Sequence, residues 1–489
     1  MKTASHLKQL ASESLVYGLS SVVNKFLYFI LVPIYTRIFL PEDYGVMSLV
    51  TNSMSLVAIF VVLGLDSAAA RWFYDTEDIE VQKETIASWA WCQLSVSVLF
   101  SLLIMGCANQ LSREIVARSD AAAYFRLAAL TLPLTALGTV VTNWLRLQRR
   151  PWATLLYSFG TSALSVSLIL LLAAYLGMGL NGVYLAQLLA AAISTVVAVL
   201  LLREWISPLK VKINRLGEML KYAVPLVPAG LSFWVVNLSG LYFIKRFAST
   251  ADVGLYQVGS SISSAVAVLT AAFQQAWGPF ALSIHKRDDA RQVYADVLTA
   301  YMLLTCTLSL FLSLFSPEIL AIVTTRNYLG ANRVICLLSF NHILIGLTYI
   351  ASVGATIAKT TRPYGIAVVL SSILTLVLNF IFVPKLGKEG SALATLIAQT
   401  CVPIMVFYLS QRLYRIPYRF SAAAGVFGLS LALSVAGTFI VIPDIALSLL
   451  LKLVMLAVLV SAVFAFRITT VAKLKFFLTS ISQRNNPCQ

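Results

Sequence analysis

Arg37-Ile38-Phe39-Leu40-Pro41-Glu42-Asp43-Tyr44-Gly45 returns later in the chain as Arg246-Phe247-Ala248-Ser249-Thr250-Ala251-Asp252-Val253-Gly254. Arg, Asp and Gly keep their spacing at an offset of 209 residues. Two further matches follow in the same order. Arg150-Pro151 is answered by Arg362-Pro363, and Gly179-Leu180-Asn181-Gly182 by Gly387-Lys388-Glu389-Gly390 at an offset of 208. Three ordered matches mark an internal duplication. Each matched segment joins long apolar runs, so the duplicated unit is a set of membrane-spanning helices with their turns. Taken alone, the Arg-to-Gly turn reads as structure: Asp caps the next helix, Gly relieves its first turn and Arg sits among headgroups.

Composition agrees with that reading. Of 489 residues, 59% are apolar and 11% charged, with a mean hydropathy of +0.86, whereas a soluble domain is about half apolar and a quarter charged. A soluble fold is excluded. Backbone groups cannot stay unpaired in lipid, so apolar runs of about 20 residues read as helices. Such runs begin near Leu15, Tyr44, Ile86, Ala121, Trp152, Leu180, Tyr222, Val253, Asp296, Val334, Pro363, Gly390, Ser421 and Asp444. Turn residues such as Pro41-Glu42-Asp43, Gly177-Met178-Gly179 and Ser316-Pro317 separate them.

The expected architecture is an all-α integral membrane protein of about fourteen spans, built as two parallel six-span repeats plus two extra C-terminal spans. Residues 1–202 form an N-lobe of spans 1–6 and residues 222–410 a C-lobe of spans 7–12. Residues 203–221 form an amphipathic connector on the membrane surface, and residues 411–489 hold spans 13 and 14 with a tail. Equivalent spans lie six apart, so both copies enter the membrane in the same sense, as in transporters that rock one half against the other. The first apolar run follows a polar start carrying Lys2 and Lys8, without a small-residue cleavage site, and reads as an uncleaved span.

The net charge of +16 suits an anionic lipid surface better than nucleic acid, because the basic residues fall in short clusters between apolar runs. With the N-terminus inside, 24 of the 36 Lys and Arg lie on the cytoplasmic side and 9 outside. Both termini are therefore expected in the cytoplasm. Cys92, Cys107, Cys306, Cys336 and Cys401 lie in or beside apolar runs, and with Cys488 they show no metal-binding spacing. No Walker A sequence is present, Asp288-Asp289 is an isolated acidic pair, and no metal or cofactor is expected.

Polar stripes run through several spans. Lys25 sits ten residues into the first, near the midplane, on a face with Ser14, Tyr17, Gly18, Ser21, Asn24 and Tyr28. Ser48, Thr51, Asn52 and Ser55 share a face of span 2, Gln257, Ser260, Ser261 and Ser264 of span 8, and Ser339, His342, Gly346 and Tyr349 of span 10. Together they point to a hydrated cavity with Lys25, Asn24, Tyr28, Asn52, Gln257 and His342 as cargo-binding candidates. The serines also suit interhelical packing, and a lone histidine is more often structural. Lys25 is different, since an ammonium at that depth needs an anion and span 1 has no carboxylate there. Arg37, Lys245 and Arg246 are expected at the outer mouth. Asp66 and Arg71 are expected at the inner mouth, as a pair. Lys452 in span 14 has no visible partner in sequence and snorkels or faces a groove.

Pro33 through Gly45, Gly64-Leu65-Asp66-Ser67-Ala68-Ala69-Ala70-Arg71-Trp72-Phe73-Tyr74 and the Arg-Pro turns together resemble the polysaccharide transporter family, the Wzx-type O-antigen flippases of the multidrug/oligosaccharidyl-lipid/polysaccharide (MOP, MATE-like) exporter superfamily. The resemblance implies two six-helix lobes around a cationic cavity, in a bacterial inner membrane. Its cargo would be an undecaprenyl-diphosphate-linked oligosaccharide with its tail left in the bilayer. It also implies a tail groove made by the two extra spans, with Lys452 in it, and polysaccharide polymerase machinery as a protein partner. A drug/cation antiporter of the same superfamily is the alternative, but it would need an intramembrane carboxylate that spans 1 and 7 lack. A membrane glycosyltransferase or polymerase is a further alternative, against which stands the shortness of every loop. No catalytic residue is expected.

Cysteine accessibility labelling should place residues 203–221 and the tail after Arg467 on the cytoplasmic side, and residues 109–120 outside. Labelling of the connector from outside would reverse the orientation.

Overall fold

The computed structural model describes residues 29–360, 362–440 and 444–465, and every regular element in them is helical. The chain runs through α1 (Phe29–Ile38), α2 (Pro41–Val62), α3 (Leu65–Tyr74), α4 (Ile79–Leu111), α5 (Ala121–Leu147), α6 (Pro151–Ile169) and α7 (Gly179–Leu202). It continues through α8 (Ile213–Ala223), α9 (Val227–Leu238), α10 (Gly240–Phe247), α11 (Thr250–Ile284), α12 (Ala290–Leu314) and α13 (Ser316–Val323). It ends with α14 (Asn332–Ala351), α15 (Val353–Ile357), α16 (Arg362–Leu413), α17 (Phe420–Phe439) and α18 (Ile445–Ala465). Among the described residues, 11 helices are long and apolar enough to cross a membrane, and two shorter apolar helices stand at Phe29–Ile38 and Ala446–Ser461. The fold is the all-α membrane architecture expected from composition.

The run Arg362–Leu413 is 52 residues long and as one straight helix would reach about 78 Å, far beyond a hydrocarbon core of about 30 Å. Gly387 resolves this. Its backbone stands at φ 57, ψ −132, which breaks the helix into two arms. The matching glycine of the first repeat, Gly179, has φ 58. A side chain at Gly182 would meet the Leu172 carbonyl at 2.8 Å, and one at Gly390 the Phe382 carbonyl at 2.5 Å. The first and fourth positions of the repeated glycine motif thus serve the same backbone purpose in both copies.

The chain packs as two compact units. Among the described residues, the first contains 29–258 together with Ser372–Ser391, and the second contains Gly259–Ser371 and 392–465. In the first unit, α4, α5 and α7 form the centre. An apolar cluster of Phe73, Trp89, Trp144, Leu202 and Met219 closes one end, and Trp205 packs on both Phe73 and Trp144, at 6.2 and 5.5 Å between ring centroids.

The connector is strapped to the start of α4. Glu80 accepts from Lys210 at 2.5 Å and from Lys83 at 2.8 Å. Glu84 lies 3.6 Å from Lys212 and 3.5 Å from Arg215. Arg215 also donates to the Val81 carbonyl and to Thr85 Oγ1, and Trp91 Nε1 donates to the Ile206 carbonyl. The acidic residues at the start of α4 are thus the reason for the basic residues of the connector. The pattern of residues 203–221 did not reveal this, because the partners lie more than 100 positions away in sequence.

In the second unit, α12 packs between α14 and α17. Tyr301 donates to the Ile343 carbonyl at 3.1 Å, and Gly346 makes the space, since a side chain there would collide with the Tyr301 hydroxyl. Lys452 on α18 does have a partner. Its ammonium bonds the Glu318 carboxylate of α13 and lies 5.4 Å from the centre of the Phe315 ring. The partner was hidden because Glu318 lies 134 residues earlier, in the turn after Ser316-Pro317.

This pair ties α18 to α13. Glu318→Ala should lower thermal stability by about 1 kcal/mol, and Lys452→Met should suppress most of that loss in the double variant. Additive losses in thermal denaturation of the detergent-solubilised protein would show that the pair is incidental.

Candidate functional site: the interlocked turns

The repeated Arg-to-Gly turns meet each other in the first unit. A Cβ on Gly45 would lie 2.0 Å from the Thr250 carbonyl oxygen, and one on Gly254 would lie 1.9 Å from the Pro41 carbonyl oxygen. Pro41 and Gly45 open α2, and Thr250 and Gly254 open α11, one helical turn apart in each case. The contact is therefore reciprocal: the first carbonyl of each helix rests on the glycine of the other. Only hydrogen at those positions allows the backbones so close. Each glycine thus admits a carbonyl of the other copy, rather than easing its own turn as the sequence alone suggested.

Two ion pairs flank the crossing at equivalent positions. Asp43 accepts from Arg118 Nη1 at 2.6 Å, and Asp252 accepts from Lys388 Nζ at 2.9 Å. Both carboxylates lie in the first turn of their helices, where the helix dipole favours negative charge. Their roles differ in detail. Ser249 caps α11, its Oγ accepting from the Asp252 N–H at 3.0 Å while its hydroxyl donates to the Asp252 carboxylate at 2.8 Å. α2 has no such cap, and the side-chain cap expected of Asp43 is replaced by the bond to Arg118. Arg118 also holds Asp120, at 2.8 and 3.0 Å. The Asp43 carboxylate raises the already high pKa of the Arg118 guanidinium further, so this cation is permanent.

Of the residues expected at this mouth, Lys245 donates to Thr250 Oγ1 at 2.6 Å, while Arg37 and Arg246 are exposed. Arg118 and Lys388 were missed. The signal lay in Asp43 and Asp252 themselves, two acids at one repeat position in a chain with few acids, each requiring a cation.

The cavity candidates divide. Lys25, Asn24 and Tyr28 lie outside the described residues. Asn52 is half-buried in α2, donates to the Ser48 carbonyl at 2.7 Å, and accepts from Trp234 Nε1 on its own carbonyl at 3.3 Å. Ser53 shares a 2.9 Å hydrogen bond with Tyr242, and Ser55 accepts from Trp234 at 3.0 Å, so a polar seam joins α2 to α9 and α10. Gln257 is half-buried in α11, in the same unit. His342 is half-buried in α14 of the second unit, where its carbonyl accepts from Thr270 at 3.3 Å.

Asp66 and Arg71 do not pair. Five residues apart on α3, they point in directions about 140° apart around the helix. The Arg71 guanidinium lies instead over the Tyr222 and Trp72 rings, at 5.3 and 5.9 Å. Among the described residues no group of three His, Cys, Asp or Glu could hold a metal ion, and Asp289 is bonded to Arg287 at 2.7 Å.

This helical fold is similar to that of membrane transporters of known structure. An inward-facing multidrug resistance MATE family transporter of the MOP superfamily superposes with a TM-score of 0.69 at 16% identity, over 82% of this chain and 96% of that one. The lipid II flippase MurJ in an inward closed conformation superposes with a TM-score of 0.72 at 14% identity, over 93% and 100%. The chain belongs to the polysaccharide biosynthesis protein family, whose model matches residues 34–333. It is 23% identical over 271 residues to the succinoglycan biosynthesis transport protein ExoT of Rhizobium meliloti, which covers 54% of this chain and 52% of that relative. It is 22% identical over 328 residues to a protein of the Lsg locus of Haemophilus influenzae, covering 65% and 77%. The chain thus spans about half the length of the first of these relatives.

Gly45→Ala and Gly254→Ala should each force the two turns apart and cost about 1–3 kcal/mol of the interlocked state. Cysteines placed at Arg37 and Arg246 should label faster in either variant than in the parent. Unchanged labelling in both would show that the contact does not hold this end closed.

Proposed function

We propose that the protein is a flippase that moves an undecaprenyl-diphosphate-linked oligosaccharide from the cytoplasmic to the periplasmic leaflet by alternating access, with both termini in the cytoplasm of a bacterial inner-membrane host. The reciprocal glycine contact carries this reading. It joins one copy of the repeat to the other through bare backbone, so separating the turns exposes no unpaired side-chain polar group beyond what water at the mouth can satisfy. Family membership supports a cargo from polysaccharide assembly. On the orientation given by the Lys and Arg distribution, the crossing is the outer gate, and Arg37, Lys245 and Arg246 line its rim. Asp43–Arg118 and Asp252–Lys388 are the two bolts of that gate.

Lys25 is the cargo's principal contact. An ammonium at the midplane costs about 3 kcal/mol or more, and a diphosphate supplies concentrated negative charge to offset it. A lysine can follow that charge as the lobes move, where a bidentate clamp would fix one geometry. Asn24, Tyr28, Asn52, Gln257 and His342 add hydrogen bonds along the path. The lipid tail stays against the last two spans, where the Lys452–Glu318 pair holds the helix in place rather than touching cargo. Polymerase machinery receives the product outside.

In cells that depend on this gene for their surface polymer, Lys25→Ala should abolish export and accumulate lipid-linked oligosaccharide at matched protein levels, and Lys25→Arg should retain part of the activity. Normal export by Lys25→Ala would remove the cargo contact. Efflux of cationic dyes with no change in lipid-linked oligosaccharide would assign the antiporter reading instead.

A further inference from the structure

A cavity of about 1030 Å³ opens at one end of the second unit, where α12 begins, α16 ends and α17 begins. Arg291, Arg412 and Arg415 stand around it with the aromatic rings of Phe407, Tyr408 and Tyr418. None of the three arginines forms an ion pair among the described residues. The only acidic side chain in the rest of the sequence is Glu13. Other described arginines also lack a carboxylate, but Arg71 and Arg333 each lie against a ring and not at this cavity; here three converge on one space. Three unpaired guanidinium groups around one cavity call for an anion from outside the chain.

The site is built, not a chance cluster of surface charge. Gln411 bonds both backbone groups of buried Ile416, accepting from its N–H and donating to its carbonyl, each at 2.8 Å. Tyr418 donates to the Ile350 carbonyl at 3.2 Å, and burial raises its phenol pKa, so it stays a neutral donor. Phe407, Tyr418 and Phe420 pack ring to ring at 5.1 to 5.6 Å. The Arg412 guanidinium lies 4.4 Å from the centre of the Tyr408 ring and donates through Nη2 to its hydroxyl, and that of Arg291 lies 4.9 Å from the Tyr414 ring. A guanidinium carries five N–H donors, so Arg412 keeps further donors for an anion.

The polarity order along α16 identifies the kind of anion. Arg412, Tyr408 and Ile404 are spaced four residues apart and share one helix face. Tyr408 is 58% exposed and Ile404 63%. From the helix end inward the face therefore presents a cation, an amphipathic ring and an aliphatic side chain. A membrane lipid has the matching sequence of phosphate, interfacial glycerol and acyl chain. A free phosphate would use the arginines and leave the exposed apolar face uncovered.

We propose that this cavity binds the phosphate headgroup of an anionic phospholipid, with its chain lying along Tyr408 and Ile404. Arg412 and Arg415 hold the phosphate, Arg291 closes over it from α12, and the occupied site fixes the turn between α16 and α17. The site is separate from the interlocked turns, which belong to the other unit, and it stands whether or not the cargo assignment does.

The test is native mass spectrometry of the full chain released from phosphatidylcholine nanodiscs containing a minor fraction of phosphatidylglycerol. The parent should retain phosphatidylglycerol in preference to phosphatidylcholine. Arg412→Gln with Arg415→Gln should weaken retention about thirtyfold, as expected for two cations near a lipid surface, while the Lys double variant should recover much of it. Arg419→Gln, one exposed cation outside the cavity lining, should change retention by no more than about fivefold. The proposal fails if Arg419→Gln matches the double variant, since general surface charge would then explain binding. It also fails if the double variant retains lipid normally. Displacement of the lipid by inorganic phosphate alone, or capture of polyprenyl diphosphate in preference to phosphatidylglycerol, would overturn the choice of lipid.

Discussion

Two backbone carbonyls resting on two glycines set the arrangement of everything around them. Pro41 and Thr250 can approach Gly254 and Gly45 only because neither glycine carries a side chain. That closeness draws the starts of α2 and α11 together, and two helix starts brought together concentrate positive dipole ends in one place. Asp43 and Asp252 offset those ends, and Arg118 and Lys388 then offset the acids. The order of causes runs from the absence of a methyl group, through dipoles, to the surface charges that a sequence reader sees first.

The overall fold was legible because lipid imposes a length and an apolar composition on every crossing helix. The duplication was legible because Arg, Asp and Gly keep their spacing. What the turn does was not. Spacing shows that Gly45 and Gly254 correspond, but not that each faces the other's carbonyl, since that depends on two helices 209 residues apart crossing at their first turn. Asp66 and Arg71 illustrate the opposite error, where nearness in sequence suggested a pair that helical geometry separates. Lys452 shows a third case. Its partner Glu318 sits in a short helix after a proline turn, and no periodicity links the two. The cavity of Arg291, Arg412 and Arg415 was equally hidden, because it needs the start of α12 beside the end of α16.

Charge is arranged by the same logic throughout. At the crossing and at the connector an acid is matched by a base, as Glu80 and Glu84 are by the basic residues of the connector. Cations without carboxylates gather at two places: Arg37 and Arg246 at the crossing, and the three arginines around the cavity of the second unit. With 36 basic and 20 acidic residues in the chain, it is the convergence of several such cations on one cavity or one crossing that points to an anion from outside the protein.

The strap between α4 and the connector also bears on how the chain is made. Every bond in it joins residues between Glu80 and Arg215, and the aromatic cluster beneath it closes with Ala223. The interlocked turns need residues up to Gly254, and the bond to Asp252 needs Lys388. During synthesis the connector end of the first repeat can therefore be pinned while the second is still on the ribosome. The opposite end closes only after most of the second repeat has entered the membrane, so a nascent chain stalled between the two stages holds a half-finished protein that is fastened at one face and open at the other.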